Sequence, residues 1–378
     1  MLLEDEWVTN EARLLREAGS LGELLERIRD LFSPQLIHDQ EWEGLVGWAG
    51  KLPPTLSAFP LWLGFPLDGH QEGTELCVSV VGGTRSSAFF ETGRQANDAD
   101  SSTAIIASLL GKTGPRDSSL RRVVGDRVLL EYDVGPARHR IHPKISLYPI
   151  RPTLVGDRAE GRLTDLGVVL DAMESAFGRE PDAEERRQVE RAYLALNAET
   201  RIGGIEALPS KGRGIGFTTL GFAKASEVVA FLERAGWPGN PAMVASLLSR
   251  LEHRRALDGV HLGVHFNVDA IGVGPTLELH IFSRNSMYER EGWFGEKLFW
   301  SPLMDGLRRE GLAVPEKLSE LAKWSSGSRI LFGRSGPFVV LQRIHHFKLI
   351  LTENRLHRVK GHVFLLICSG LRGGDAAG

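Results

Sequence analysis

Cysteine is almost absent from this chain of 378 residues: Cys77 and Cys368 are the only two, far apart in sequence. Neither a disulfide framework nor a zinc knuckle can be assembled from them. Tyrosine is scarce too, with four copies. Net charge is small, at −3, which gives no support for nucleic acid or an anionic membrane as the main partner. No apolar run approaches the ~18 residues that suggest a membrane span. The start, M-L-L-E-D-E-W, lacks the basic-then-apolar order of a signal peptide, so a cytoplasmic location is expected. What remains is ordinary: 42% apolar and 25% charged residues, the composition of a globular protein with room for one large domain or two smaller ones.

The stretch 257–282 is the most informative. It alternates with period two on both sides of a glycine-rich turn at 270–275, the signature of paired strands with unlike faces. Val260, Leu262, Val264, Phe266 and Val268, then Leu277, Leu279 and Ile281, form the apolar face. His261, His265, Asn267, Asp269, Thr276, Glu278 and His280 form the other. Such a ribbon normally turns its polar face to water. Solvent-facing strands lean on Lys, Glu and Thr, however, and three histidines with an acid suit an enclosed polar space better.

The rest of the chain has a rhythm. Leu14, Leu15, Ala18, Leu21, Leu24, Leu25, Ile28 and Leu31 recur at three- and four-residue spacing, as in an amphipathic helix. A loop-like segment with Pro53, Pro54, Pro60 and Pro66 follows. Strands are expected at 75–81 and 86–92, joined by Gly82-Gly83-Thr84-Arg85 as a hairpin turn. A helix over 101–110 leads to strands at 127–134 and 144–150. Thr164-Asp165 and Pro181-Asp182 open helices to 177 and 196. Strands at 203–208 and 214–222 come next, then helices from Ser226 to 235 and from Pro241 to 251. Beyond the 257–282 ribbon lie helices at 297–307 and 315–324 and strands at 339–352 and 358–367. The order is helix–helix–strand–strand about five times over, a repeat of architecture and not of residues. Two α+β domains meeting near residue 200 are the alternative.

Ten antiparallel strands must hide ten apolar faces. In the last ribbon Phe347, Leu349 and Leu351 oppose His346, Lys348 and Thr352, while Val359, Val363, Leu365 and Ile367 oppose Arg358, Lys360 and His362. Amphipathic helices need an apolar sheet face to pack on. Helices outside and polar residues inside satisfy both demands, and closure removes the edges. The expected fold is therefore α+β: a ten-stranded antiparallel β-barrel with a solvent-filled lumen, surrounded by α-helices. The N-terminal helical region spans 1–60, the barrel 74–368, and a frayed tail 371–378. Ten strands enclose more space than side chains fill, so the lumen would hold solvent or a ligand.

This architecture resembles the ABBA (PT-barrel) aromatic prenyltransferases, in particular the dimethylallyltryptophan synthases, over about 75–367. Residue-level matches lie in the first two ribbons. T-E-L-C-V-S-V-V-G-G-T-R-S-S-A-F-F-E offers Glu75 and Arg85 where the family has a glutamate for the indole N–H and an arginine for the diphosphate. K-I-S-L-Y offers Lys144 and Tyr148 for the lysine and tyrosine of the second ribbon. The third and fourth ribbons depart from the family: its R-x-K-x-Y strand has only Lys211 and Arg213 nearby, and T-L-E-L-H carries Glu278, which would repel a diphosphate. The resemblance implies transfer of a prenyl group from a prenyl diphosphate to an electron-rich aromatic acceptor, an indole or tryptophan-containing small molecule or peptide. It implies no required cofactor, with Mg2+ as an optional ion, and a monomer or homodimer.

The chemistry assigns roles. A prenyl diphosphate ionises to an allylic cation and diphosphate, so the protein must neutralise the leaving group, exclude water and hold the ring against the cation. Arg85, Lys144, Arg213 and Lys348 are the expected diphosphate ligands, with His265, His280 and His346 assisting when protonated. Glu75 would orient the acceptor or take its proton. Tyr148 and Phe217 would shield the cation with their π faces. Two other readings stand beside this one. The barrel could bind a small molecule or peptide without turning it over. Or His261, His265 and His280, with Glu278 or Asp269, could ligate a metal from alternating positions on paired strands. Gly111-Lys112-Thr113 is not a P-loop, because Ile106 stands where the first glycine is required, and Gly212, Gly214 and Gly216 precede a strand pattern where a dinucleotide site needs a helix.

Overall fold

Alternation of polar and apolar residues becomes a single antiparallel sheet. The computed structural model describes residues 11–53, 61–69, 73–93, 101–134, 142–150, 153–156, 162–208, 214–283, 300–324, 327–353 and 355–369. The first ribbon is β1 (Leu61–Pro66) with β2 (Thr74–Val81), and the second is β3 (Arg127–Val134) with β4 (Lys144–Leu147). The third is β5 (Arg201–Ala207) with β6 (Ile215–Phe222), and the fourth is β7 (Val260–Asp269) with β8 (Gly272–Ser283). β9 (Gly327–Phe332) lies against the far end of β10 (Pro337–Thr352), which pairs with β11 (Arg355–Ser369) in the fifth. β8 passes to β10, and β11 returns to β1 with Leu61 facing Leu365 and Gly64 facing His362. Ten strands thus close into a barrel, with β9 outside the ring.

Helices fill the intervals. A helical stretch at 11–17 (α1), α2 (Leu21–Arg27) and α3 (Asp39–Ala49) come first, followed by α4 (Arg85–Gly93), α5 (Ser101–Thr113) and α6 (Ser119–Val124) after the first ribbon. Pairs then follow each ribbon in turn: α7 (Leu163–Ala176) and α8 (Ala183–Leu194), α9 (Ala225–Ala235) and α10 (Pro241–His253), α11 (Trp300–Arg309) and α12 (Pro315–Ala322). Two of these starts are encoded by local caps. The Asp182 carboxylate accepts from the N–H groups of Glu184 and Glu185, and Asn240 caps α10 with Pro241 in its first turn. Ser226 is not a cap; α9 begins one residue earlier, and the Glu227 carboxylate reaches back to the N–H groups of Ala223 and Lys224.

The main core lies outside the barrel. Phe266 on β7 stacks on Phe217 of β6 and on Phe231 of α9, and Phe347 on β10 meets Trp300 of α11 at 5.2 Å. The apolar face of 257–282 belongs to this cluster in full. The greasy side of each strand thus faces helices.

Two expectations fail in the first ribbon. The stretch 86–92 is helix, because Glu11 accepts from the backbone N–H groups of Arg85 and Ser86 and from the Ser86 hydroxyl, capping α4 from a distant segment. The partner of β2 is instead β1, inside the segment read as loop, so the barrel begins at Leu61. L-W-L-G-F-P shows no alternation because all six positions are buried on both faces. Arg213 and the tail 371–378 lie outside the described residues.

Candidate active site in the barrel lumen

Strand pleating sends every second residue inward. On β2 and β3 these include Glu75, Cys77, Leu129 and Glu131; on β4 and β5, Lys144 and Glu206. β7 and β8 contribute His265, Glu278 and His280, and β10 and β11 contribute His346, Lys348, Lys360 and His362. A bulge between Ile344 and His346 turns His345 inward as well, where its ring lies 4.7 Å from Trp62 of β1.

These side chains form one ion-pair network. Glu75 accepts from Lys360 at 2.5 Å and from His362 at 2.7 Å, and Lys348 lies 3.4 Å away. Lys348 also stands 3.7 Å from both Glu131 and Glu278. Lys144 bridges Glu131 at 2.8 Å and Glu206 at 3.0 Å. His280 pairs with Glu278, and Thr218 joins His265 to Glu206. Lys144, Glu131 and Glu278 keep 16%, 17% and 20% side-chain exposure, so solvent reaches the network beside them, whereas His362 is sealed at 1%.

Electrostatics fixes the charge states. Burial would raise the Glu75 carboxyl, but Lys348, Lys360 and His362 together hold it well below the usual carboxylate range. Burial opposes ionisation of Glu206 too, yet Lys144 and His265 bring it down to about 2. Lys348 and Lys144 move upward, their desolvation overcome by the surrounding glutamates. The histidines go the other way: burial, with help from Lys348, brings His280 down to about 4 despite Glu278. Burial and the neighbouring imidazoles push His345 and His346 well below the ordinary value, and His362 is also lowered, by burial first and then by Lys348. At neutral pH the network therefore holds Glu75, Glu131, Glu206 and Glu278 as carboxylates, Lys144 and Lys348 as ammonium groups, and His280, His345, His346 and His362 as neutral imidazoles.

Space for it comes from glycine. A Cβ at Gly64 would stand 2.5 Å from His362 Nε2 and 2.9 Å from Glu75 Oε2. Both atoms are pinned by the network and cannot yield freely. Gly64→Ala is expected to cost about 1–3 kcal/mol by overpacking, read as a lower denaturant midpoint with unchanged m-value.

Of the residues singled out from sequence, Glu75, Lys144, His265, His280, His346 and Lys348 face the lumen, and Tyr148 packs there against Trp62, Cys77, Leu129 and Phe364. Two do not. Phe217 points outward into the core, since it sits opposite Phe266 and one residue out of step with Gly216 and Thr218. Arg85 starts α4 with an exposed side chain, because its segment is helix and not strand. Among the described residues no group of three or more His, Cys, Asp or Glu side chains is arranged to hold a metal ion, so the metal-ligand reading finds no constellation there.

Several lumen residues went unselected. Lys360 and His362 lay on a polar strand face already recognised. Glu131 and Glu206 were legible as polar positions opposite Lys144 and Gly216 once the strands are paired. Trp62 and His345 carried no signal, one on a strand without alternation and the other inward only through a bulge.

No family model matches the chain, and no curated protein matches it. Solved structures do. AnaPT from Neosartorya fischeri aligns over 97% of this chain and 96% of its own, at 13% identity and a TM-score of 0.55. The chain has the ABBA prenyltransferase fold. A 5-dimethylallyl tryptophan synthase from Streptomyces coelicolor, solved in complex with DMASPP and Trp, covers 92% of this chain and 95% of its own at 14% identity and a TM-score of 0.51. Prenyltransferase PriB covers 91% and 96% at 16% identity, also with a TM-score of 0.51. At such identity the likeness fixes the ABBA barrel, and the activity has to be argued from the residues that line it. No helix among the described residues is long and apolar enough to cross a membrane.

Proposed function

We infer that the barrel is the reaction chamber of an aromatic prenyltransferase, which moves a prenyl group from a prenyl diphosphate to an electron-rich ring, an indole or a tryptophan-containing small molecule or peptide. One observation carries this reading: the lumen gathers Lys348 and Lys360 around Glu75 and Lys144 between Glu131 and Glu206, beside the rings of Trp62, Tyr148, Phe282 and Phe364. Breaking the donor C–O bond leaves diphosphate, which Lys144 meets at the solvent-reached part of the network, and an allylic cation, which π faces stabilise. The ring carbon attacks, and the arenium proton passes to a basic group of the lumen or to diphosphate. The barrel wall keeps bulk water from the cation.

Glu131, Glu206 and Glu278 favour a second reading, in which the barrel binds an aromatic ligand without transferring anything. They already neutralise Lys144 and Lys348 and would oppose a diphosphate. Incubation with dimethylallyl diphosphate and a panel of indoles, with and without Mg2+, separates the two. The transferase reading expects acceptor masses raised by one dimethylallyl unit, with the rate lowered roughly 10²–10³-fold in Lys144→Ala. Ligand binding with no adduct on any acceptor leaves only the second.

A further inference from the structure

The sheet continues past the closed ring. β8 pairs with β10 from His346 to Thr352, and beyond that point β10 takes β9 as its neighbour, with Ile330 facing Val339 and Ser328 facing Leu341. β11 runs on beside it, Leu366 facing Leu341, whereas β1 begins only opposite Leu365. Among the described residues β9, β10 and β11 thus form a flange at one mouth of the barrel. Its outer face is ordinary: Phe338 and Val340 lie in the main core, and Leu331 packs against it. Its inner face is in step with Phe364 and carries Leu366, Leu341, Val339, Ile330 and Phe332. Ile330 and Phe332 are 68% and 75% exposed, and Val339 and Leu341 are only partly buried. A contiguous apolar strip left open to water marks a contact surface.

The strip prolongs the lumen. Along β11 every second residue faces inward, and Lys360, His362, Phe364 and Leu366 pass in order from ionic to imidazole to aromatic to aliphatic. The ion-pair network lies at the level of Lys360 and its register partner Lys348, and Phe364 belongs to the ring cluster with Trp62 and Tyr148. From Lys360 to Leu366 is about 20 Å of strand. One charge interrupts this wall: Arg343 stands opposite Phe364, its guanidinium donating to the Gln342 carbonyl. Its methylene stem can flank an apolar chain as its neighbours do. Arg127 and Arg201 face the same mouth from β3 and β5, strands that do not adjoin the flange. The flange itself offers apolar surface with a single hydroxyl, that of Ser328. A polar ligand would find few side-chain partners along it, and an isoprenoid chain needs none.

We propose that the flange holds the tail of a long prenyl diphosphate, so that the donor is of geranyl or farnesyl length in preference to dimethylallyl. The inference rests on reading the lumen as a prenyl-transfer chamber, and it adds the class of donor. With the diphosphate beside the lysines, a five-carbon chain ends among the rings of Phe282 and Phe364. A fifteen-carbon chain passes them and covers Leu366, Leu341 and Ile330, taking apolar surface on both sides out of water.

The test is a calorimetric titration of the full chain with the dimethylallyl, geranyl and farnesyl thiolodiphosphates. One molecule of each should bind per chain, the farnesyl compound at least tenfold more tightly than the dimethylallyl one and the geranyl compound between them. Ile330→Asp and Phe332→Asp change exposed side chains, so both variants should keep the wild-type thermal midpoint. Each should lower the ratio of farnesyl to dimethylallyl affinity at least fivefold, whereas a merely structural defect would weaken both compounds alike. Dimethylallyl binding as tight as farnesyl, or a ratio unchanged in both variants, overturns the proposal. So does a wild type that sediments as a dimer and an Ile330→Asp variant that sediments as a monomer with the same ratio, since a second copy would then be what covers the flange. Failure of the transferase reading looks different: the farnesyl compound binds as described, yet no indole gains a prenyl mass from any donor. Prenylated product from dimethylallyl diphosphate, with equal affinities for the three thiolodiphosphates, sinks the present inference alone.

Discussion

Lys348→Met is expected to destabilise the protein by about 3–5 kcal/mol at pH 8, the usual cost of removing one partner from a buried ion pair. Lys348 is 3% exposed and serves three carboxylates, Glu75, Glu131 and Glu278. Without it Glu75 keeps Lys360 and Glu131 keeps Lys144, but Glu278 keeps His280 as its direct partner, with Lys144 and His265 acting on it only through the field. The pH dependence gives the effect its signature. In the wild type Glu75 and Glu278 are held well below the ordinary carboxylate range, burial being outweighed first by Lys348. The stability they contribute is full above the unfolded value of about 4.3 and is lost only as pH falls through their lower folded values. In the variant the unpaired carboxyls shift upward instead, and protonation relieves them. Acidification from pH 8 to 5.5 should therefore narrow the gap between wild type and variant in denaturant melts. A gap below about 1 kcal/mol at pH 8 would mean that Lys348 is solvated like a surface lysine.

The second large effect belongs to the histidines. His280 falls to about 4, His345 and His346 lie well below the ordinary imidazole value, and His362 is lowered as well, burial being the largest cause in each. A histidine whose folded value is depressed binds fewer protons in the native state than in the unfolded chain. Its contribution is complete above about pH 6.5 and is lost as pH falls towards the folded value. Between pH 6.5 and 5, His280 alone accounts for about 2 kcal/mol. The other three act in the same direction, and the carboxylates add their loss only lower down. The wild type should thus lose stability between pH 7 and 5, where a protein held mainly by ion pairs would be level. His280→Asn and His346→Asn should each flatten that slope. A flat wild-type profile over this range would show that water freely enters the histidine cluster.

Much of the barrel was legible because its strands are two-faced. The residues of 257–282 read inside and outside correctly, and so did those of the last ribbon, since alternation needs no knowledge of the partner strand. β1 was not legible, because Leu61–Pro66 is buried on both faces and ends in proline. α4 was not legible either, because the group that caps it, Glu11, lies 75 residues from Ser86 in the chain. Phe217 shows the limit of reading chemistry by residue type. Pairing with Ile205 in its own ribbon and with Phe266 in the next puts it on the greasy side, and parity decides against the ring. The site was half visible for a related reason. Lys144, Lys348 and Glu75 announce themselves, whereas the carboxylates that neutralise them lie on other strands and become partners only when the barrel closes.

Calorimetric titration with dimethylallyl thiolodiphosphate, a donor in which sulfur replaces the bridging oxygen so that the allylic C–S bond resists ionisation, tests the central claim most directly. One molecule should bind per chain, several-fold more tightly in Glu278→Gln, which removes an opposing carboxylate, and several-fold more weakly in Lys144→Ala. Absence of binding in both the wild type and Glu278→Gln would contradict a prenyl-transfer chamber and leave a barrel whose lysines serve only its own glutamates.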